Sequence, residues 1–247
     1  MFLTIRGLVL RIADYNDRDA LITLLTEEHG RLTVKAKGLR RKHSRLAAPC
    51  QLLAYGEFSL FEYKGRYTVN EAYCLELFHG LRADVTKLSL ATYFAQVADV
   101  LSQEDVPSPE LLSLTLNCLY ALSKLTEPEA KIKSVFEWRC ACISGFFPDL
   151  LGCHVCGHAQ PDRFDTAEGY LICTGCTGMV SGGIRMPVSQ GMLAALRYIA
   201  FCEPGRILAF DVSPETLSQL SSLTELYLTT QLERGFKTLD FYKSLFI

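Results

Sequence analysis

The sequence predicts an α+β protein in which a small N-terminal β domain precedes an α-helical body. Strand-like alternation of apolar and polar residues fills the N-terminal third, and apolar residues recur at helical spacing through most of the remainder. Two Cys-x-x-Cys pairs interrupt the helical part between Cys153 and Cys176. We therefore expect domains at residues 1–80 and 81–247, with a four-cysteine module at 150–180 inside the second.

The N-terminal third contains about five segments with strand character. Residues 2–12 and 21–26 are rich in β-forming residues around a polar loop, and residues 51–63 and 66–72 flank a Lys-Gly turn. Between these pairs, LTVKAKG alternates so that its two lysines share one face. Five strands with a basic loop after the third are compatible with an OB-type β-barrel, a fold that holds nucleic acid on strands and loops. Composition does not distinguish it from an SH3-like barrel.

Capping residues and prolines divide the helical part. Leu88, Phe94 and Leu101 belong to a first helix by their spacing. Later helix starts are marked by residues that suit the N-cap or the first turn. These starts are Ser108 with Pro109, Pro128, Ser189, and Ser213 with Pro214, and the last helix reaches about Leu232.

Charge is distributed unevenly along the chain. The net charge is −2 over 247 residues, but residues 1–82 hold 13 Lys and Arg against 9 Asp and Glu, whereas the remainder holds 12 against 18. A basic front part joined to an acidic remainder indicates that any polyanion is met mainly by the N-terminal part.

A basic segment begins in the third predicted strand. Seven cations and no acidic residue lie between Arg31 and Arg45. Lysines and arginines also blunt exposed strand edges, so the segment has a purely structural interpretation as well. Nearby rings offer either stacking planes for bases or filling for the barrel, and they are Tyr55, Phe58, Phe61, Tyr63 and Tyr67. The candidate nucleic-acid contacts are Arg31, Lys35, Lys37, Arg40, Arg41, Lys42, Arg45 and Arg66.

The two Cys-x-x-Cys pairs predict a structural zinc site. Each pair bends the chain so that two thiolates face one ion, and Gly157 and Gly175 allow the backbone to turn beside the sulfurs. A redox motif needs a strand-to-helix context and a disulfide needs an oxidising compartment, so both fit less well. Four thiolates leave no open position for substrate, and His154 and His158 are interpreted as solvated neighbours. The predicted ligands of one Zn²⁺ per chain are Cys153, Cys156, Cys173 and Cys176.

The composition predicts a cytoplasmic protein. No run of about 18 apolar residues is present, and the N-terminus lacks the pattern of a signal peptide. The ten cysteines are therefore expected to be reduced thiols or metal ligands. Those outside the four-cysteine module lie in apolar or helical surroundings, where cysteine behaves as a small hydrophobic residue. They are Cys50, Cys74, Cys118, Cys140, Cys142 and Cys202.

Three N-terminal segments and both cysteine motifs carry a family resemblance. They read GLVLR, ALITLLTEEHG, KAKGLRR, CHVC and CTGC. In this order they resemble the RecO family of bacterial DNA repair proteins. The resemblance implies an N-terminal OB domain, a helical domain with a four-cysteine zinc module, and a recombination mediator without catalytic residues. It also implies that the cations from Lys35 to Arg45 form the basic surface of the OB domain.

Partners are implied by the same resemblance. Such proteins bind single- and double-stranded DNA, anneal complementary strands, and act with RecR to load RecA onto strands coated by single-strand binding protein, which also implies association with the nucleoid. The acidic C-terminal tail of the coating protein is expected to dock on the helical body. Lys131, Lys133 and Arg139 are candidate cations for that tail, although each is also interpretable as a solvated helix charge.

Two other functions compete with this interpretation. The first is an enzyme that uses the metal or the thiol of Cys140 or Cys142 on nucleic acid or a small substrate. A four-thiolate site is saturated, however, and no Gly-rich phosphate loop or paired-carboxylate motif is found. The second is a zinc-containing regulator whose β domain is a protein-binding, SH3-like barrel.

Overall fold

A computed structural model describes residues 1–181 and 183–246 of the chain. Its contacts define two compact units, Met1–Thr126 with Phe236–Ile247, and Glu127–Gly235. The first unit contains the N-terminal strands and the second contains the four-cysteine module. The predicted domain boundary between residues 80 and 81 stays a prediction.

Within the described residues, the strands and helices have the following bounds. The strands are β1 (Phe2–Asp14), β2 (Ala20–Thr26), β3 (Arg31–Ala36), β4 (Tyr55–Tyr63), β5 (Arg66–Glu76), β6 (Asp149–Cys153), β7 (Arg163–Asp165), β8 (Tyr170–Ile172) and β9 (Arg185–Pro187). The helices are α1 (His79–Arg82), α2 (Val85–Leu101), α3 (Pro109–Lys124), α4 (Glu129–Ile143), α5 (Gln190–Phe201), α6 (Pro214–Gln231) and α7 (Lys237–Ser244).

The first five strands close into a barrel in the order β1-β2-β3-β5-β4. β1 pairs antiparallel with two neighbours, because residues 2–8 lie opposite β4 and residues 7–14 lie opposite β2. The register with β2 shifts between Val9 and Arg11, a bulge of the kind that bends a strand. β3 and β5 run parallel and complete the ring.

The barrel interior is filled by alternate residues of its strands. Leu32, Val34 and Ala36 are buried, as the alternation of the third strand predicts, and Lys37 just beyond the strand is exposed. Burying an aliphatic side chain of this size contributes roughly 1.5–3 kcal/mol. Other core residues are Ile5, Val9, Ile22, Leu24, Phe58, Leu60 and Val69.

The fourth strand begins later than predicted. β4 starts at Tyr55 and not at residue 51, because Ala54 N–H closes a turn onto the carbonyl of Gln51 at 3.0 Å. Leu53 in this turn has a φ of 65°, which is incompatible with a strand. The connection from β3 to β4 therefore spans residues 37–54.

Residues 37–54, here called the basic loop, are anchored to the barrel. Leu39 and Cys50 from this loop are buried in the barrel core. Gly38 has a φ of 68°, and a Cβ at this position would lie 3.2 Å from the Arg41 side chain. The first turn of the loop therefore requires glycine.

Helix caps agree with the sequence at two of the serines. The hydroxyls of Ser189 and Ser213 accept backbone N–H bonds from the first turns of α5 and α6, each at 3.2 Å. Ser108 precedes α3 as predicted, but its hydroxyl donates to the carbonyl of Val106 at 3.1 Å. Its backbone is outside the extended conformation that aims an N-cap oxygen at the first turn. No helix within the described residues has the length and apolarity needed to cross a bilayer.

The second unit combines three helices with a small sheet in the order β6-β8-β7-β9. Trp138 of α4 is fully buried, and its indole N–H donates to the carbonyl of Leu196 in α5 at 3.0 Å. Its ring lies 5.2 Å from that of Tyr227 in α6. One large aromatic side chain therefore joins the three helices.

A buried ion cluster lies between α4 and α6. The ammonium of Lys133 is 3.0 Å from the carboxylate of Glu137 and 2.9 Å from that of Glu225. Glu137 is fully buried, and Thr224 donates to it at 2.8 Å. Desolvation raises the pKa of Glu137, and the Lys133 charge opposes that effect. The cation is therefore required to keep this carboxylate satisfied in the interior.

We expect Lys133→Met to lower the free energy of unfolding by about 3–5 kcal/mol, because it leaves a buried carboxylate without its cation. Lys131→Met in the same helix is the control. Its partners Glu127 and Asp211 are a third or more exposed, so the loss should be about 1 kcal/mol or less. Urea unfolding followed by the fluorescence of Trp138, the sole tryptophan, measures both. Equal losses in the two variants contradict the prediction.

Candidate metal centre and basic groove

The structure brings the four predicted metal ligands together in the second unit. The Sγ atoms of Cys153, Cys156, Cys173 and Cys176 all lie within 4.8 Å of one another, and those of Cys156 and Cys173 are 3.9 Å apart. Zn–S bonds of about 2.3 Å give a tetrahedron with S–S edges of about 3.8 Å. The thiol positions therefore fit a single tetrahedral ion.

The first cysteine pair is held by a turn at the end of β6. Gly157 N–H donates to the Cys153 carbonyl, and Cys153 N–H donates to the His158 carbonyl, both at 2.8 Å. Gly157 has a φ of 72°, as expected for a turn beside the sulfurs. Arg197 of α5 donates to the carbonyl of Leu150 at 2.9 Å and so fixes the strand that leads into the pair.

The second pair lies at the start of a short 3₁₀ helix. Cys176 N–H donates to the Cys173 carbonyl at 2.9 Å. The carboxylate of Asp162 accepts from the backbone N–H and the hydroxyl of Thr174, at 2.7 and 2.5 Å. Gly175 does not have a positive φ, so the freedom that we expected of this glycine is not used.

Sequence reasoning missed three residues that position the module, namely Asp162, Arg185 and Arg197. Arg185 pairs with the fully buried Asp165 at 3.2 Å and donates to the carbonyl of Thr177 at 2.7 Å, next to the second cysteine pair. Their partners are 8 to 47 residues away in sequence, and some of them are backbone carbonyls. No local motif marks such contacts, which is why the sequence did not disclose them.

The surroundings shift the pKa values of the four-cysteine module in opposite directions. Burial disfavours the Cys153 thiolate, yet N–H groups of Cys156, Cys173 and Val155 lower the pKa of that thiol to about 6. Hydrogen bonding to neighbouring sulfurs and burial raise the pKa of Cys176 to about 11. Burial and the same sulfurs raise the pKa of Cys173 to about 12. A bound cation is what allows all four thiols to be ionised together.

Neither nearby histidine joins the metal-ligating group found among the described residues. His154 is exposed and stacks on Tyr170 with a centroid distance of 4.4 Å. His158 is exposed and uses its carbonyl in the first turn. Both positions agree with their interpretation as neighbours of the site.

We expect purified protein to hold one metal ion per chain, and Cys156→Ser to lose most of it, because three thiolates bind such an ion far more weakly than four. Cys74→Ser removes an exposed thiol outside the module and is the control. Elemental analysis after gel filtration without chelator measures the ratio. Metal-free wild-type protein that remains fully folded contradicts the prediction.

The basic loop borders a groove on the first unit. This groove has a volume of ≈ 930 Å³ and lies between the basic loop and a wall formed by β1, β4 and β5. The exposed cations that line it are Lys37, Arg41, Lys42 and Arg45. Among the residues that the structure describes, no carboxylate oxygen lies within 4.0 Å of these four cations. The groove therefore carries uncompensated positive charge.

Three other predicted DNA contacts are paired within the unit. Each of these cations has a carboxylate partner, which reduces its attraction for an external anion. The pairs are Arg31 with Asp99 at 3.6 Å, Lys35 with Asp19 at 3.1 Å, and Arg40 with Asp14 at 2.6 Å. The remaining candidate, Arg66, is exposed at the start of β5 and does not line the groove.

Asp19 links Lys35 to the start of the basic loop. The N–H of Gly38 donates to its carboxylate at 2.8 Å, and this bond, with those from Lys35 and Asn16, lowers the pKa of Asp19 to about 2. The carboxylate is therefore ionised at neutral pH. Lys35 also lies over the ring of Tyr15 at 4.2 Å, so its charge is engaged twice.

The predicted stacking rings divide between core and surface. Phe58 is fully buried in the barrel, whereas Phe61 is 42% exposed and lines the groove. Phe2 and Tyr73 also line it, at 64% and 63% exposed, and sequence reasoning missed both. Alternation in β1 and β5 indicates their outward faces, but only the pairing of β1 with β4 brings Phe2 to the groove.

The three cations considered for partner binding have partners inside the second unit. Lys133 lies in the buried ion cluster, and Lys131 pairs with Glu127 at 2.8 Å. Arg139 donates to the carbonyls of Ile199 and Ala200 at the end of α5. Their contact with an external tail stays a prediction.

The two thiols considered for catalysis lie in α4. Cys140 is fully buried, and burial raises the pKa of Cys142 to about 12. Because the thiolate is the nucleophilic form, these surroundings oppose a catalytic role for either thiol.

Comparison with known proteins gives two matching family models. The model described as recombination protein O N terminal matches residues 1–78, and the model described as recombination protein O C terminal matches residues 82–240. The break between them follows the end of β5 at Glu76.

Several curated relatives are similar over nearly the whole chain. A DNA repair protein RecO of Acetivibrio thermocellus is 32% identical over 99% of this chain and 97% of its own length. Another, of Alkaliphilus metalliredigens, is 31% identical over 99% of this chain and 100% of its own length. That of Bacillus subtilis is 28% identical over 90% and 86%.

Proposed function

The chain belongs to the RecO family of DNA repair and recombination proteins, and on this premise we propose that it binds DNA along the basic groove of its first unit. Four exposed cations line one groove, and none of them lies within 4.0 Å of a carboxylate oxygen of the described residues, which is the observation that carries the proposal. Phosphates attract such cations through the release of condensed counterions, whatever the base sequence. The paired cations Arg31, Lys35 and Arg40 then act mainly by holding the loop in place.

We propose that residues 1–80 form an OB domain and that residues 81–247 form the helical domain. The closed ring β1-β2-β3-β5-β4 and the parallel contact between β3 and β5 support this assignment over an SH3-like barrel. A groove beside strands and a connecting loop is the kind of surface that such barrels use for oligonucleotides.

The four-cysteine module is proposed to hold Zn²⁺ in a structural role. The donor set supports it, since four thiolates in a tetrahedron suit zinc or iron and do not suit calcium or magnesium. Because four protein ligands saturate the ion, no position is left for a substrate. Asp162, Arg185 and Arg197 hold the turns at the two cysteine pairs and so keep the ligand geometry.

A mediator without catalytic chemistry is the function we propose for the whole chain. Phosphate neutralisation on the groove brings two complementary single strands together and also holds duplex DNA, so no bond is made or broken. RecR, single-strand binding protein and RecA are the proposed protein partners, with the acidic tail of the coating protein docked on the helical domain. Activity of this kind takes place at the nucleoid.

Replacing Arg41, Lys42 and Arg45 by alanine should weaken DNA binding similarly for all sequences. Each lost phosphate contact should reduce the slope of log K against log salt by about 0.7 on single strands, so the triple variant loses about 2. Fluorescence anisotropy across a salt series measures the slope. The control replaces Lys64, Lys87 and Lys124, which lie in the same unit outside the groove, by alanine. An unchanged slope in the groove variant places the DNA elsewhere.

The protein should accelerate annealing of complementary strands coated by single-strand binding protein, without nucleotide or added cofactor. Acceleration is expected to fall with salt, because it depends on counterion release. A fluorescence annealing assay compares intact coating protein with a version that lacks its C-terminal tail. Equal acceleration with both versions argues against tail docking, and no acceleration on bare strands argues against annealing itself.

A further inference from the structure

The two walls of the basic groove differ in chemistry. The wall formed by the basic loop carries Lys37, Arg41, Lys42 and Arg45, whereas the wall formed by the sheet carries three exposed rings. These rings are Phe2, Phe61 and Tyr73. A phosphate-binding surface alone requires the cations and gives no reason for the rings.

Phe2 and Phe61 form an aromatic pair on the sheet wall. They are directly opposite each other in the register of β1 and β4, and their ring centroids are 5.4 Å apart at an interplanar angle of 58°. Mutual shielding explains the contact between the rings, but Phe2 remains 64% exposed and Phe61 42% exposed. Because strand pairing holds the backbone beneath them, little conformational entropy is lost when a flat ligand stacks on the free faces.

Polar groups on the sheet wall give the groove a direction. The register between β4 and β5 shifts so that Leu60 faces Val69 and Ser59 faces Glu71, and Asn70 is the extra residue of a bulge. Asn70 is exposed and lines the groove, where its amide offers both a donor and an acceptor.

Glu71 opposes phosphate on this same wall. Its carboxylate lines the groove and accepts from the hydroxyl of Tyr73 at 3.3 Å. A phosphate is repelled there and attracted to the basic loop on the other side. A nucleotide strand in the groove is therefore oriented with its phosphates toward the basic loop and its bases toward the rings.

We propose that the groove binds single-stranded DNA by stacking unpaired bases on Phe2 and Phe61, with Tyr73 and Asn70 beside them. This inference rests on the proposed DNA-binding function and makes it specific, since duplex bases are already stacked and offer no free face. Stacking on aromatic side chains tolerates any base, so the groove does not distinguish one sequence from another. Its phosphate contacts are open to both forms of DNA, and the stacking contacts are added only for single strands.

The experiment compares two strands of equal length and phosphate number, one of oligothymidylate and one fully abasic. Oligothymidylate is used because thymine stacks weakly on itself. Fluorescence anisotropy of the full chain at fixed salt should show about 10-fold tighter binding to oligothymidylate than to the abasic strand. The double variant Phe2→Leu with Phe61→Leu keeps apolar side chains without ring faces, and it should lose that preference while binding the abasic strand as before.

Two matched variants separate ring stacking from other effects. Phe2→Tyr with Phe61→Tyr retains the ring faces and should retain the preference. Tyr120→Leu removes a ring on α3 that is 52% exposed and does not line the groove, and it should change neither affinity. Circular dichroism confirms that each variant is folded, which is expected because these side chains are at the surface.

Equal affinity of the wild type for both strands, or an equal loss on both strands in the leucine variant, overturns base stacking while leaving phosphate binding intact. Failure of the wild type to bind either strand overturns the proposed DNA-binding function, and base stacking with it. A preference that survives the leucine substitutions places the bases at another surface and also overturns the inference.

Discussion

The first unit depends on a strand that is hydrogen-bonded along both edges. Residues 2–8 of β1 pair with β4 and residues 7–14 pair with β2, so this strand joins the two halves of the barrel sheet. A slip of one residue would move buried Ile5 to the face on which Thr4 and Arg6 are exposed, and the register is therefore strongly specified. The same register sets Phe2 opposite Phe61, so the strand pairing that builds the core also builds one wall of the groove.

Charge in the basic segment is divided between holding the loop and facing the groove. Asp19 is central to the first task, since it accepts from the N–H of Gly38 and pairs with Lys35. Asp14 pairs with Arg40. Both carboxylates lie at the turn that connects β1 with β2, and they neutralise the cations nearest to them. The cations beyond their reach are left free for an external polyanion.

The four-cysteine module is organised by contacts that prepare the ligands before an ion binds. Backbone N–H groups directed at the Cys153 sulfur favour its thiolate. Burial and hydrogen bonds to the neighbouring sulfurs disfavour ionisation of Cys173 and Cys176. Such a site gains most from a cation that neutralises all of the sulfurs at once. Asp162 and Arg197 contact the segments beside the two cysteine pairs and limit the rearrangement that ion binding requires.

The sequence by itself determined the α+β class, the five N-terminal strands, most helix starts and the four clustered cysteines, because strand alternation, capping residues and Cys-x-x-Cys spacing are local signals. Only the tertiary structure decided which cations are paired and which face the groove. Asp14, Asp19 and Asp99 pair with Arg40, Lys35 and Arg31, and Asp99 is 68 residues away from its partner. The tertiary structure also decided that Lys133 is buried and that Phe2 lines the groove. These outcomes depend on register and helix packing between distant segments, and no local pattern of residues encodes them.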